Sequence, residues 1–105
     1  MAFTTRKSAN KAAVKMKARF IMAIDQGTTG TTVNLLDLKG NAVARVNKEY
    51  PQIYPKAGWV EHRPDDIWRS VASTIELCLK KARAKGDEVA AIGITNQRET
   101  VVIWD

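Results

Sequence analysis

Two short stretches carry residue types that could do chemistry together. The first is "DQGTTGTT", residues 25 to 32, set between apolar runs. Gly27 and Gly30 free the backbone to turn N–H groups toward an anion, and Thr28, Thr29, Thr31 and Thr32 add hydroxyl donors. Asp25 adds a hard carboxylate oxygen, the kind that stands near a hydrated Mg²⁺ bridging phosphates. The stretch is not a Walker A loop, because no Gly-Lys-Ser/Thr follows, and it is not the G-x-G-x-x-G of a dinucleotide fold. From spacing alone a phosphate cradle and a Gly/Thr-rich hairpin turn both fit. The second stretch is "NQRE", residues 96 to 99. Arg98 supplies a fork of donors and Glu99 supplies acceptors, a pairing suited to neighbouring hydroxyls on a polyol. A surface ion pair is the other reading of those two side chains.

The elements around these stretches follow from hydrophobic pattern. "FIMAI", residues 20 to 24, is a short apolar run that predicts a buried strand ending at Asp25. "TTVNLLDL", 31 to 38, predicts a second strand, and "LKGN" a turn into a third, "AVARVNKEY", 42 to 50, with loose alternation at Val43 and Val46. Residues 51 to 64 hold three prolines and a glycine and predict a connecting loop pinned to the domain by Tyr54 and Trp59. Pro64 suits the first helical position, and Asp65 and Asp66 suit the first turn, although Arg63 is a poor N-cap. Ile67, Val71, Ile75, Cys78, Leu79 and Ala82 then fall on one helical face, and Gly86 fits the closing position. Cys78 on that face predicts a core residue. "VAAIGIT", 89 to 95, predicts a buried parallel strand, and "TVVIWD" opens another. The expected order is β-β-β-α-β-(β), an α/β class.

Composition narrows the function classes. At 105 residues the chain is one domain at most, less than a two-domain enzyme needs. No apolar run approaches the roughly 20 residues that span a bilayer. One cysteine excludes an internal disulfide and suits a reducing, cytoplasmic setting; one cysteine with one histidine excludes a structural zinc site. The net charge of +6 lies in a tail: six of the 17 basic residues precede Phe20, where there is no acid, and the other 11 face all 11 acids. Residues 1–19 are therefore expected to be a basic, disordered extension, with a transit or sorting segment or a weak polyanion binder as alternatives. The balanced part behind them gives no sign of specific nucleic-acid binding.

"IDQGTTG", "YPKAGWVEH", "DDIW" and "AAIGITNQRETVVIWD" occur in order from residue 20 to the chain end. Together they resemble the N-terminal part of the FGGY family of carbohydrate kinases, and "GITNQRE" and "YPKAGWVEH" resemble its glycerol kinases. The resemblance implies the first part, residues 20–105, of a ribonuclease-H-like, actin/hexokinase-type ATPase domain. It implies an enzyme moving the ATP γ-phosphate to glycerol with Mg²⁺. Carried over, Asp25 would stand near the metal, and Thr28, Thr29 and Gly30 would line the nucleotide phosphates. Thr28 would also lie near the transferred group, and Arg98 and Glu99 would bind glycerol. The family usually has Ser-Ser-Arg where Gly30, Thr31 and Thr32 stand, so Thr32 occupies the place of an arginine that would reach the phosphates. Arg63 likewise stands where relatives have an acid.

The resemblance also implies that the proton-accepting aspartate and the adenine pocket lie far beyond residue 105. The chain alone is then expected to be inactive and prone to self-association, and the complete enzyme to be a homo-oligomer. Two alternatives stand beside this: an FGGY kinase for another polyol or sugar, and a non-catalytic chain whose basic tail binds polyanions.

Overall fold

The computed structural model describes residues 18–105. Apart from Ala18 and Arg19, the basic segment expected over 1–19 lies outside them. A four-stranded sheet with the order β3-β2-β1-β4 carries one long helix on one face. Strands β1 (Phe20–Gln26), β2 (Gly30–Asp37) and β3 (Ala42–Glu49) form an antiparallel meander. Helix α1 (Pro64–Ala82) and a short 3₁₀ turn (Gly86–Glu88) then return the chain to β4 (Val89–Asn96), which pairs parallel to β1.

Alternation explains the two faces of the meander. Phe20, Met22, Ile24, Val33, Leu35 and Ala44 point to one side, where they meet Cys78 of α1 in the core. Asp25, Thr32 and Asn47 share the opposite face at one end of the sheet, because they are register partners across β1, β2 and β3. The most buried positions of α1 are Ser70, Thr74 and Cys78, spaced four apart. Small side chains there let the helix settle closely on β2 and β3, while Val71, Ile75, Leu79 and Ala82 flank the contact.

Several details depart from the sequence expectations. Strand β1 runs on to Gln26, so Asp25 lies in the strand and the turn shrinks to Gly27–Thr29. Polar Asp25 and Gln26 remain in the strand because each has a ladder partner on both sides, Thr32 and Thr31 on β2 and Thr95 and Asn96 on β4. Val43 is exposed; the β2–β3 register slips between Leu35 and Leu36, and Val43 falls in the bulge. Tyr54 and Trp59 do not pin the connecting loop, being 66% and 54% exposed. An isolated bridge from Ile53 to Glu61 closes that loop, and Tyr50 packs edge-on against His62 with ring centroids 5.1 Å apart.

Arg63 makes no side-chain cap, as its type predicts, but the helix end differs. Arg83, at φ 54°, closes α1 in the left-handed region; its N–H reaches the Lys80 carbonyl at 3.1 Å and the next N–H, of Ala84, reaches Leu79 at 2.9 Å. Gly86 instead opens the 3₁₀ turn. The chain bends back this early because Ala84 and Val89 both pack against the core.

Strand β4 is parallel, as expected, but not buried. Its Ile92 and Ile94 lie on the helix side of the sheet, yet α1 sits over β2 and β3, leaving them 56% and 72% exposed. "TVVIWD" forms no strand: Val101, Ile103 and Trp104 are at least 80% exposed, and no described strand offers that backbone a ladder.

Candidate functional site

Parallel pairing of β1 and β4 brings the two chemical stretches to one sheet edge. Gln26 and Asn96 are register partners at the C-terminal ends of adjacent parallel strands. The Gly27–Thr29 turn therefore leaves the sheet beside the Gln97–Glu99 turn. In open α/β sheets, ligands bind in the crevice outside the carboxyl ends of the strands. Sequence separation hides this proximity; the crossover through α1 produces it.

The first turn is built to present donors. Gly27 N–H donates to the Gly30 carbonyl at 2.8 Å, and Tyr50 N–H donates to the Thr29 carbonyl at 3.2 Å. The Gly27 carbonyl accepts from the Tyr50 hydroxyl and from Gln26 Nε2, the latter at 2.8 Å. Gln26 Nε2 also lies 2.7 Å from the Tyr50 oxygen. The carbonyls of Gly27, Thr29 and Gly30 are thus occupied within the protein. Thr28 and Thr29, both exposed, have amide and hydroxyl hydrogens with no protein acceptor among the described residues. What remains available is mainly hydrogen-bond donors, with the Thr28 carbonyl the one acceptor of the turn left without a partner among the described residues, and a donor-rich turn suits an anion. Burial pushes the Tyr50 phenol above its ordinary value, and the hydrogen bond from Gln26 offsets part of that rise.

Gly30 is needed for a steric reason as well. A Cβ there would lie 2.5 Å from the Lys48 carbonyl oxygen and 3.0 Å from the Glu49 Cα, so β3 closes against it. Of the other threonines, Thr31 is fully buried and accepts from the Ser70 hydroxyl at 2.9 Å, which makes it a strut to the helix. Thr32 stands beside Asp25 on the open face, and its hydroxyl accepts from Asn47 Nδ2 at 2.7 Å. Thr95 flanks Asp25 on the other side, so a polar row Asn47–Thr32–Asp25–Thr95 crosses the sheet.

Asp25 is exposed at the strand end. No group of three or more potential metal ligands occurs among the described residues. A lone carboxylate fits Mg²⁺, which keeps several waters and takes its other ligands from phosphates, and does not fit an all-protein cation cage.

In the second turn Arg98 and Glu99 are both exposed and form no ion pair with each other. Glu99 adopts φ 57°, a left-handed conformation that costs a non-glycine residue energy and is concentrated at functional sites. That bend aims the two adjacent side chains differently from strand neighbours, which would point to opposite faces. Sequence reasoning missed Gln26, Tyr50 and His62. No motif spacing marks them, because their link to the turn is made across the sheet.

A three-stranded meander, a crossover helix and a parallel return strand, with turns at the carboxyl ends of β1 and β4, define part of a ribonuclease-H-like ATPase domain of the actin/hexokinase type. Residues 20–105 match the model of the FGGY family of carbohydrate kinases, N-terminal domain, and the chain belongs to that family. It is 52% identical over 86 residues to a glycerol kinase of Bdellovibrio bacteriovorus, covering 82% of this chain and 17% of that protein. The structure is similar to Plasmodium falciparum glycerol kinase with ADP, at a TM-score of 0.71 and 36% identity over 85% of this chain and 18% of that one. It is also similar to gluconate kinase from Lactobacillus acidophilus, at a TM-score of 0.66 and 38% identity over 74% of this chain and 15% of that one. The chain spans less than a fifth of the length of the curated relatives it matches.

Proposed function

We propose that this chain is the N-terminal part of a cytoplasmic, ATP-dependent glycerol kinase, which transfers the γ-phosphate of MgATP to glycerol to give sn-glycerol 3-phosphate. The observation that carries the reading is the meeting of the two turns. The donor-rich Gly27–Thr29 turn, with Asp25 in the strand before it and Gly30 opening the strand after it, lies beside a turn bearing Arg98 and Glu99, at the carboxyl ends of β1 and β4. The ADP in the Plasmodium relative and the glycerol kinase names of the curated relatives support the nucleotide and the acceptor.

Each side chain has a distinct part in that reaction. Thr28 and Thr29 donate amide and hydroxyl hydrogens to the phosphate oxygens, with Thr28 nearer the transferred group. Gly30 lets the turn close tightly enough to present them. Asp25 would hold a hydrated Mg²⁺, which neutralises charge on the phosphates as transfer proceeds. Arg98 donates to, and Glu99 accepts from, adjacent hydroxyls of glycerol, fixing which oxygen faces the phosphate. Catalysis of this kind is positioning and electrostatics inside a water-excluding cleft. Because the chain spans less than a fifth of its curated relatives, the 105-residue chain alone is expected to give no turnover. Exposed Ile92, Ile94, Ile103 and Trp104 make the chain alone prone to self-association, while the complete enzyme is a homo-oligomer.

The deciding experiment compares glycerol, xylulose and gluconate as acceptors in the full-length protein, with coupled detection of ADP. Preference for glycerol, lost in Arg98→Ala and Glu99→Ala, supports the reading. Preference for xylulose or gluconate moves the enzyme elsewhere in the FGGY family. No ATP-dependent turnover with any acceptor overturns it.

A further inference from the structure

Tyr50 makes two separate bonds to the first turn, one at each end. Its hydroxyl donates to the Gly27 carbonyl, and its backbone N–H donates to the Thr29 carbonyl at 3.2 Å. Gln26 reinforces the first bond by donating to both the Gly27 carbonyl and the Tyr50 oxygen. The phenol ring is only 7% exposed and is held edge-on by His62, which follows the bridged loop between Ile53 and Glu61. The ring thus has a fixed seat, and its hydroxyl reaches a backbone atom 23 positions earlier in the chain.

The consequence is one of polarity. A turn whose carbonyls were free would present acceptors as readily as donors, and acceptors repel phosphate. Here Tyr50 occupies two of those carbonyls, and Gly27 N–H occupies the carbonyl of Gly30. At Thr28 and Thr29 the amide and hydroxyl hydrogens stay unpaired, and of the turn's three carbonyls only that of Thr28 has no donor among the described residues. We infer that Tyr50 is a positioning residue for nucleotide phosphate: it clamps both ends of the Gly27–Thr29 turn and so turns the Thr28 and Thr29 donors outward. The role rests on the kinase reading given above. It needs no contact between Tyr50 and nucleotide.

Tyr50→Phe tests this, because it removes the hydroxyl and keeps the ring against His62. In the full-length protein without nucleotide, amide exchange at Gly27 and Tyr50 should quicken by about tenfold, with distant amides of β2 unchanged. In kinetics, KM for ATP should rise about fivefold, with KM for glycerol and the thermal midpoint close to wild type. Tyr54→Phe, which alters an exposed phenol, should leave every readout unchanged. Exchange at Gly27 and Tyr50 within twofold of wild type would overturn the clamp. Equal rises in the two KM values would overturn the specific role in holding phosphate. Absence of ATP-dependent turnover in the wild-type protein overturns the kinase reading and this role with it, whereas an exchange failure alone removes only Tyr50.

Discussion

Ser70 of α1 donates its hydroxyl hydrogen to Thr31 of β2 at 2.9 Å, and both side chains are buried. This bond ties the helix to the residue that follows Gly30, so it braces the strand that leaves the first turn. Buried hydroxyls are costly when orphaned and nearly neutral when both partners are removed together. Ser70→Ala should therefore lower stability by about 1–2 kcal/mol, by leaving the Thr31 hydroxyl without a partner. Adding Thr31→Val should recover about 1 kcal/mol of that loss. Urea denaturation of the two single variants and the double variant measures the coupling; strictly additive losses would contradict it.

Gly30 and Gly93 make a matched pair for the effect of a methyl group. A Cβ on Gly30 would stand 2.5 Å from a backbone oxygen of β3, whereas one on Gly93 would meet nothing within 4 Å. Backbone cannot swing aside as a flexible side chain can. Gly30→Ala should cost about 2–3 kcal/mol and loosen the β2–β3 pairing next to the turn. Gly93→Ala should stay within about 0.5 kcal/mol of wild type. Thermal melts of the two variants give the comparison directly.

Arg83 closes α1 at φ 54°, a position where glycine carries no steric penalty. The side chain is exposed, so little packing is lost on removing it. Arg83→Gly should stabilise the protein by about 0.5–1 kcal/mol, since relief of strain exceeds the added freedom of the unfolded chain. A lower melting temperature for this variant would show that the arginine side chain makes a favourable interaction outweighing the strain.

Cys78 is fully buried between β2, β3 and α1, with Sγ 3.5 Å from the Val33 carbonyl oxygen and 3.6 Å from that of Ala44. Burial pushes its thiol above the ordinary value, and Lys81 and a backbone bond offset only part of that rise. Native protein should therefore react with a thiol-specific disulfide reagent only as fast as it opens, at rates that rise with urea in step with unfolding. Rapid labelling of folded protein would contradict this placement.

How far the fold was legible depends on what each segment needed from the rest of the chain. The meander and the helix follow from periodicity, because each of their apolar runs meets a partner that buries it, and the return strand follows from its apolar run although it stays exposed. The helix contact itself was hidden. Ser70 and Thr74 read as polar, yet they occupy the buried line of α1 because Ser70 bonds Thr31 and Thr74 bonds the Ser70 carbonyl at 2.6 Å. "VAAIGIT" carries the pattern of a strand covered on both faces, and helix α1 lies over β2 and β3 instead. The same holds for the site. Both turns can be picked out by residue type, and nothing in their spacing says that they adjoin. Their proximity is a property of the β1–β4 pairing, and the grip of Tyr50 on Gly27 is a property of the tertiary packing.

Two half-buried carboxylates, Asp37 and Glu88, contribute to the acid limb of stability. Asp37 is held below its ordinary value of 3.8, chiefly by the backbone N–H of Asn41 and then by that residue's side-chain amide. Glu88 is held below 4.5, chiefly by the backbone N–H of Lys85, with further help from Arg19, whose guanidinium lies 2.9 Å away. Because both folded values are depressed, the unfolded chain takes up protons first as pH falls. Their contribution is fully present above about pH 5, begins to fade through the unfolded values, and is gone once pH drops below the folded ones. The share of stability due to these two groups should therefore be flat from neutrality to about pH 5 and decline below it. Asp37→Asn with Glu88→Gln should flatten that decline, since neither replacement titrates. Added salt should weaken the Arg19–Glu88 part and leave the backbone hydrogen bonds at Asp37 largely intact. Urea midpoints of wild type and the double variant from pH 7 to pH 3 measure the difference, and an acid limb of unchanged slope would assign it to other carboxylates.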